Sequence, residues 1–171
     1  MKLFVDADSC PKPARHLILR VAARTALTAV FAANRPIPGI TGPGVVMEVC
    51  PAGEGAADDR IAELARPGDL VVTRDIPLAC RLVETAIPVI DDRGQVYTKE
   101  NIREKLSLRD FKVGLADNGL GVERLASYGK RELKNFADSL DRLLVKLLRA
   151  EKENRISALK QSPTNPCVRF S

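Results

Sequence analysis

Residues 67–79 read Pro67-Gly68-Asp69-Leu70-Val71-Val72-Thr73-Arg74-Asp75-Ile76-Pro77-Leu78-Ala79. Pro67-Gly68 punctuates the chain and ends the element before it. Leu70 to Thr73 is an apolar run without polar alternation, the pattern of a parallel strand covered on both faces. Asp75-Ile76-Pro77 then opens a helix, with a carboxylate placed to cap it and a proline in its first turn. A doubly covered strand that runs straight into a helix is a unit of an α/β fold.

Working outward, the same alternation recurs. Leu3-Phe4-Val5 reads as a buried first strand, and Pro11 to Thr25 as a helix with Ala14, Leu17, Ile18, Val21 and Ala22 on one face. Leu27 to Ala33 and Val45 to Val49 are strands flanking a Pro- and Gly-rich loop. Ala57 to Ala65 is a short helix, residues 76–86 the next, and Ile87 to Ile90 a brief fifth strand. Strands alternating with helices predict a three-layer α/β/α sandwich around a parallel sheet with right-handed crossovers. After Asp92-Arg93-Gly94 the strands are expected to stop. A helix from Thr98 to about Val113 would turn Ile102, Leu106 and Phe111 inward, and a loop containing Gly114, Gly119, Gly121 and Gly129 follows. The longest helix spans about Lys130 to Ala150, with Leu133, Phe136, Leu140, Leu143, Leu144 and Leu147 on one stripe. Residues 151–171 lose periodicity and read as a frayed tail.

Composition narrows the function. The chain has 171 residues, enough for one domain. No stretch nears the roughly 20 apolar residues of a membrane helix, and the N-terminus turns acidic too soon for a secretory signal. Cys10, Cys50, Cys80 and Cys167 are far apart and His16 is the single histidine, which argues against a structural zinc site or a disulfide framework. The chain is read as cytoplasmic. Residues 1–122 carry 16 Lys or Arg and 16 Asp or Glu, and residues 123–171 carry 11 and 6, so the formal charge of +5 lies in the last 49 residues. A basic end fits a polyanionic partner or a solubilising tail. Arg142, Lys146 and Arg149 share one helix side, as a nucleic-acid ridge or a solvated face would.

With one histidine, hydrolytic chemistry falls to carboxylates and an oxygen-loving metal. Ligands of an open parallel sheet bind outside the carboxyl ends of its strands. Asp6 and Asp8 follow the first strand, Asp75 follows the fourth, Asp58 and Asp59 open the helix before it, and Asp91 and Asp92 end the fifth. Converging carboxylates repel unless a hard cation such as Mg²⁺ or Mn²⁺ neutralises them. Such an ion can orient a phosphodiester and activate water. Helix capping explains most of these residues singly, but not Asp6, which ends an apolar strand. Lys12, Arg60 and Arg74 are candidates to meet a substrate phosphate. Cys10 lacks a base partner and reads as a packed thiol, and the glycines of residues 39–44 match no phosphate-binding pattern. Two Tyr and no Trp give no extended base-stacking platform.

Four segments stand out: Val5-Asp6-Ala7-Asp8-Ser9-Cys10-Pro11-Lys12, Pro51-Ala52-Gly53 with Ala57-Asp58-Asp59-Arg60-Ile61, residues 67–79, and Arg93-Gly94-Gln95-Val96-Tyr97-Thr98-Lys99-Glu100-Asn101-Ile102. Together they resemble the YaiI/YqxD family of bacterial proteins. The resemblance covers about residues 1–149 and implies membership of the PIN-like superfamily. By that resemblance residues 1–150 form a single PIN-like domain with extra C-terminal helices, followed by a flexible basic tail over 151–171. It also implies an acidic pocket for Mg²⁺ or Mn²⁺, as in ribonucleases. Asp6 would match the acid closing the first strand, Asp75 the one closing the fourth, and Asp58 or Asp59 the middle acid. Arg74 stands where a small residue is expected. The expectation is a metal-dependent nuclease acting on RNA, with Asp6, Asp8, Asp59 and Asp75 as catalytic and Asp58 as a further metal ligand. One alternative is a non-catalytic PIN-like module that binds RNA or protein. Another is a haloacid-dehalogenase-like phosphatase with Asp6 as nucleophile, for which no lysine lies between Lys12 and Lys99.

Overall fold

The computed structural model of the protein describes residues 1–117 and 127–161. Six strands form one sheet: β1 (Lys2–Asp6), β2 (Thr28–Ala33), β3 (Val45–Val49), β4 (Leu70–Val72), β5 (Val89–Ile90) and β6 (Val96–Tyr97). Their order across the sheet is β3-β2-β1-β4-β5-β6. The first five run parallel, and β6 pairs antiparallel with β5. Five helices connect and cover them: α1 (Lys12–Thr25), α2 (Ala56–Leu64), α3 (Ile76–Glu84), α4 (Lys99–Asp117) and α5 (Lys130–Gln161).

The period of two along each strand sends alternate side chains into two cores. Leu3, Val5, Phe31, Leu70 and Val72 pack with Ile18 and Val21 of α1 and with Phe136, Leu140 and Leu144 of α5. Phe4, Val30, Val71 and Val89 pack with Ile61 of α2, Leu78 and Leu82 of α3 and Ile102 of α4. Helices on both faces of a mostly parallel sheet make the α/β sandwich that the alternation predicts.

Four expectations are corrected. The strands do not stop at Asp92. Asp91 Oδ1 accepts from the backbone N–H of Arg93 (2.9 Å) and of Gln95 (2.8 Å), which bends the chain back into β6. The sheet is therefore mixed. Phe111, expected inward, is 64% exposed, because α4 docks through its first turns at Ile102 while its later turns stand clear of the sheet. Gly114, expected in a loop, continues α4. Finally, α5 runs to Gln161 rather than ending near Ala150, and Glu151 accepts from the α-amino group of Met1 at 2.8 Å. Gly119, Gly121 and the tail beyond Gln161 lie outside the described residues.

Gly94 fixes the hairpin against α5. Its φ is +90°, and a Cβ there would lie 2.5 Å from the backbone oxygen of Asn135. Both the backbone conformation and the space exclude a side chain. We predict that Gly94→Ala lowers unfolding free energy by about 2–4 kcal/mol in urea titration, whereas Gly53→Ala, with open space around it, changes it by under about 0.5 kcal/mol. Equal midpoints for the two variants would contradict the close approach.

Candidate functional site

The strand order reverses at β1. The chain leaves β1 toward β2, then returns past it to β4, so the crevice of this sheet lies beyond the carboxyl ends of β1 and β4. Register places Val5 beside Val72, which brings Asp6 beside Thr73. Phe4 faces the core under α2 and α3, so Asp6, two residues on, points to the same side.

Asp6 is buried, 6% exposed, and held by two hydroxyls. Ser9 Oγ donates to its Oδ2 at 2.6 Å and Thr73 Oγ1 donates to the same oxygen at 3.0 Å. Thr73 Oγ1 in turn accepts from the backbone N–H of Asp75 at 2.9 Å. Asp75 caps α3, its Oδ1 accepting from the N–H of Leu78 at 2.6 Å. A single relay of hydrogen bonds thus ties the end of β1 to the start of α3. Asp8 does not cap α1, whose first turn follows Pro11 without a side-chain cap. Its Oδ2 instead accepts from the N–H of Asn34 at 2.7 Å, pinning the segment after β2.

Asp58 reaches the same place from α2. It stands three and seven residues before Ile61 and Ala65, both buried, and so turns toward the sheet. Asp59 is one step further round. It pairs with Arg81 at 2.8 Å on the outer side and lines a neighbouring cleft of about 560 Å³ with Arg60 and Glu63. The two adjacent acids are therefore separated by helical period alone.

Asp6, Asp8, Asp58 and Asp75 line one cleft of about 470 Å³, together with Ser9, Asn34 and Arg74. A larger cleft of about 860 Å³ between α1 and α5 includes none of these carboxylates. Asp58 has no hydrogen bond or ion pair among the described residues. Its pKa is pushed up to about 6 by burial first, then by the charges of Asp6, Asp75 and Asp59. Free oxygens of these four acids could serve a hard cation, although among the described residues no group of three or more His, Cys, Asp or Glu side chains stands arranged around a metal position.

The three candidate cations are placed less favourably. Arg74 lines the cleft, but its guanidinium is bound through Nε and Nη2 to the carboxylate of Asp92, whose side chain is 1% exposed. Removing the arginine would leave a buried charge unpaired. That explains a cation at a place where a small residue was expected. Arg60 is committed to Glu48 at 2.7 Å and Glu63 at 2.8 Å. Lys12 is exposed and does not line the cleft. Cys10 is a packed thiol, pushed up to about 12 by burial first and then by Asp92, so it carries no thiolate for nucleophilic work. The sequence gives no site role to Ser9, Thr73 or Asn34, and Asp92, one of the strand-end acids, turns out to be the partner of Arg74. A hydroxyl two residues before Asp75 on a strand end, level with Asp6, was the available signal for Thr73.

The fold and the cleft define an α/β sandwich with a carboxylate-lined crevice at its strand-order reversal. The family described as "Uncharacterized BCR, YaiI/YqxD family" matches residues 4–146, and the chain belongs to it. It is 52% identical over 149 residues to a UPF0178 protein of Treponema pallidum, covering 87% of this chain and 84% of the relative. It is 46% identical to one of Treponema denticola, covering 87% and 95%, and 42% identical to one of Myxococcus xanthus, covering 88% and 99%. No solved structure matches it. Among the described residues no helix is long and apolar enough to cross a membrane.

The raised pKa of Asp58 has a stability consequence. The folded chain holds this proton more tightly than the unfolded chain, whose ordinary value is 3.8. The ionised group therefore costs stability fully above pH 6, and the cost fades as pH falls from 6 toward 4. Screened by solvent, the cost is about 1 kcal/mol. Asp58→Asn is expected to raise the melting temperature by about 2–4 °C at pH 8 and by nothing at pH 4. A variant that melts below the wild type at pH 8 would contradict this electrostatic picture.

Proposed function

We propose that this protein is a metal-dependent nuclease that hydrolyses RNA phosphodiesters in the acidic cleft. The observation that carries the reading is Asp58, a carboxylate set among Asp6, Asp8 and Asp75 without a partner and with its proton affinity raised. Carboxylates gathered without a partner favour a cation that neutralises them. The oxygen-only donor set suits Mg²⁺ or Mn²⁺ rather than zinc. A bound ion of this kind would neutralise the four acids, orient the phosphodiester and make water a better nucleophile.

The chain's own residues do the positioning. Ser9 and Thr73 both donate to Oδ2 of Asp6, so Oδ1 takes no part in these bonds. Asp75 spends Oδ1 on the α3 cap and Asp8 spends Oδ2 on Asn34, which leaves one oxygen of each for an ion. Both oxygens of Asp58 are uncommitted. The first turns of α2 and α3 meet at the cleft, and their dipoles favour a phosphate there. The middle acid of the reading is Asp58 rather than Asp59. The strand order and the acids after β1, after β4 and at the start of α2 are in keeping with the PIN-like relationship that the family resemblance implies. An RNA substrate implies a cytoplasmic place of work.

The test is cleavage of end-labelled single-stranded and structured RNAs with Mn²⁺, with Mg²⁺ and with EDTA. Cleavage is expected to need the metal and to fall at least about 100-fold in Asp6→Asn, Asp58→Asn and Asp75→Asn. Asparagine keeps the α3 cap and accepts the same hydroxyls, so these variants should fold. Asp59→Asn should lose far less than Asp58→Asn. RNA bound but left intact with either metal would overturn the nuclease reading in favour of a non-catalytic binding module.

A further inference from the structure

A substrate strand that enters the acidic cleft must find a cation for its phosphates, and the arginines of the cleft and its neighbour are committed elsewhere. Arg74 belongs to Asp92, and Arg60 to Glu48 and Glu63. A second hollow of about 240 Å³ adjoins the cleft and shares Asp8 with it. Arg15 and Arg35 line it, with Pro36, Ile37 and Pro38.

Arg15 is clamped without being neutralised. Its Nη1 donates to the backbone oxygen of Ala7 at 3.0 Å and of Cys10 at 2.8 Å, which fixes the guanidinium at the end of β1. Arg35 is exposed, and among the described residues neither arginine pairs with a carboxylate. The segment carrying Arg35 is anchored at both sides, by Asp8 on the N–H of Asn34 and by Ile37, which packs against the core. The hollow therefore presents one fixed cation, Arg15, and a second, Arg35, carried on an anchored backbone segment, against one carboxylate and beside an apolar wall able to take a sugar or base.

We propose that the Arg15–Arg35 hollow is a phosphate subsite, which receives the phosphodiester adjacent to the one in the acidic cleft of a single-stranded RNA. The pairing with a scissile phosphate rests on the nuclease reading; the recognition of the strand by the hollow does not. A strand lying across Asp8 would reach both sites, and the hollow would set its register without contacting the reacting atoms.

The experiment is equilibrium binding of a fluorescein-labelled 12-nucleotide single-stranded RNA in EDTA, by anisotropy across a range of salt concentrations. EDTA separates binding from cleavage. Arg35→Ala is expected to weaken binding about 5–10-fold and to reduce the slope of log affinity against log salt by about 0.7, the value of one contact on a single strand. Arg35→Lys should retain most of the affinity. Lys112→Glu, a larger charge change on the outer helix α4, should weaken binding less than twofold. Inorganic phosphate at the same ionic strength should compete with the RNA for the wild type and much less for Arg35→Ala. Unchanged binding in Arg35→Ala, equal losses in Lys112→Glu, or no binding by the wild type would overturn the subsite. Arg35-dependent binding without any metal-dependent cleavage would uphold the subsite and sink the nuclease reading; cleavage with Arg35-independent binding would do the reverse.

Discussion

The parallel pairing of β1 with β4 at the centre of the sheet is the constraint on which the rest depends. Leu3, Phe4 and Val5 lie level with Leu70, Val71 and Val72, so whatever follows the two strands must share one point in space. The connections leave that point in opposite directions. From β1 the chain goes by α1 to β2 on one side, and from β4 by α3 to β5 on the other. Right-handed crossovers running in opposite directions lie on opposite faces of the sheet. Hence α1 packs with one core and α3 with the other. The connection from β3 back to β4 runs in the same sense as that from β4 to β5, so α2 shares the face of α3. The start of α2, the start of α3 and the end of β1 are thereby brought to one crevice, and each contributes an acid.

Most of this frame was legible in the sequence because its signals are local and agree with one another. The uninterrupted Leu70-Val71-Val72 followed by Asp75-Ile76-Pro77 specifies a covered strand and a capped helix, and both form as read. What escaped was set by tertiary partners or by a single residue of geometry. The β6 strand depends on Asp91 gathering the N–H groups of Arg93 and Gln95, a turn that Asp92-Arg93-Gly94 alone reads as an exit from the sheet. That Asp58 lines the cleft while Asp59 meets Arg81 follows from the helical period relative to Ile61 and Ala65. The role of Arg74 could not be read, because its partner Asp92 lies eighteen residues away and both sit at strand ends whose order the sequence leaves open. Phe111 looked like a core residue by spacing, but α4 extends beyond the sheet that would have covered it.

The charges around the crevice divide into two kinds. Asp92 with Arg74, and Arg60 with Glu48 and Glu63, are mutually satisfied and hold elements together. Asp58 is unsatisfied and raises the free energy of the folded chain, and Arg15 and Arg35 are cations without a carboxylate among the described residues. The carboxylates lie on one side of Asp8 and the two arginines on the other, so under the proposed reading a cation in one hollow and a polyanion across both would each meet charge of the opposite sign.

Anomalous diffraction from crystals grown with Mn²⁺ at pH 8 tests the central claim most directly. The account predicts a manganese peak within about 2.0–2.6 Å of oxygens from Asp6, Asp8, Asp58 or Asp75, and its loss in Asp58→Asn or Asp6→Asn crystals. A cleft that takes no manganese at millimolar concentration, or an ion bound instead at Asp59 and Glu63, would contradict it.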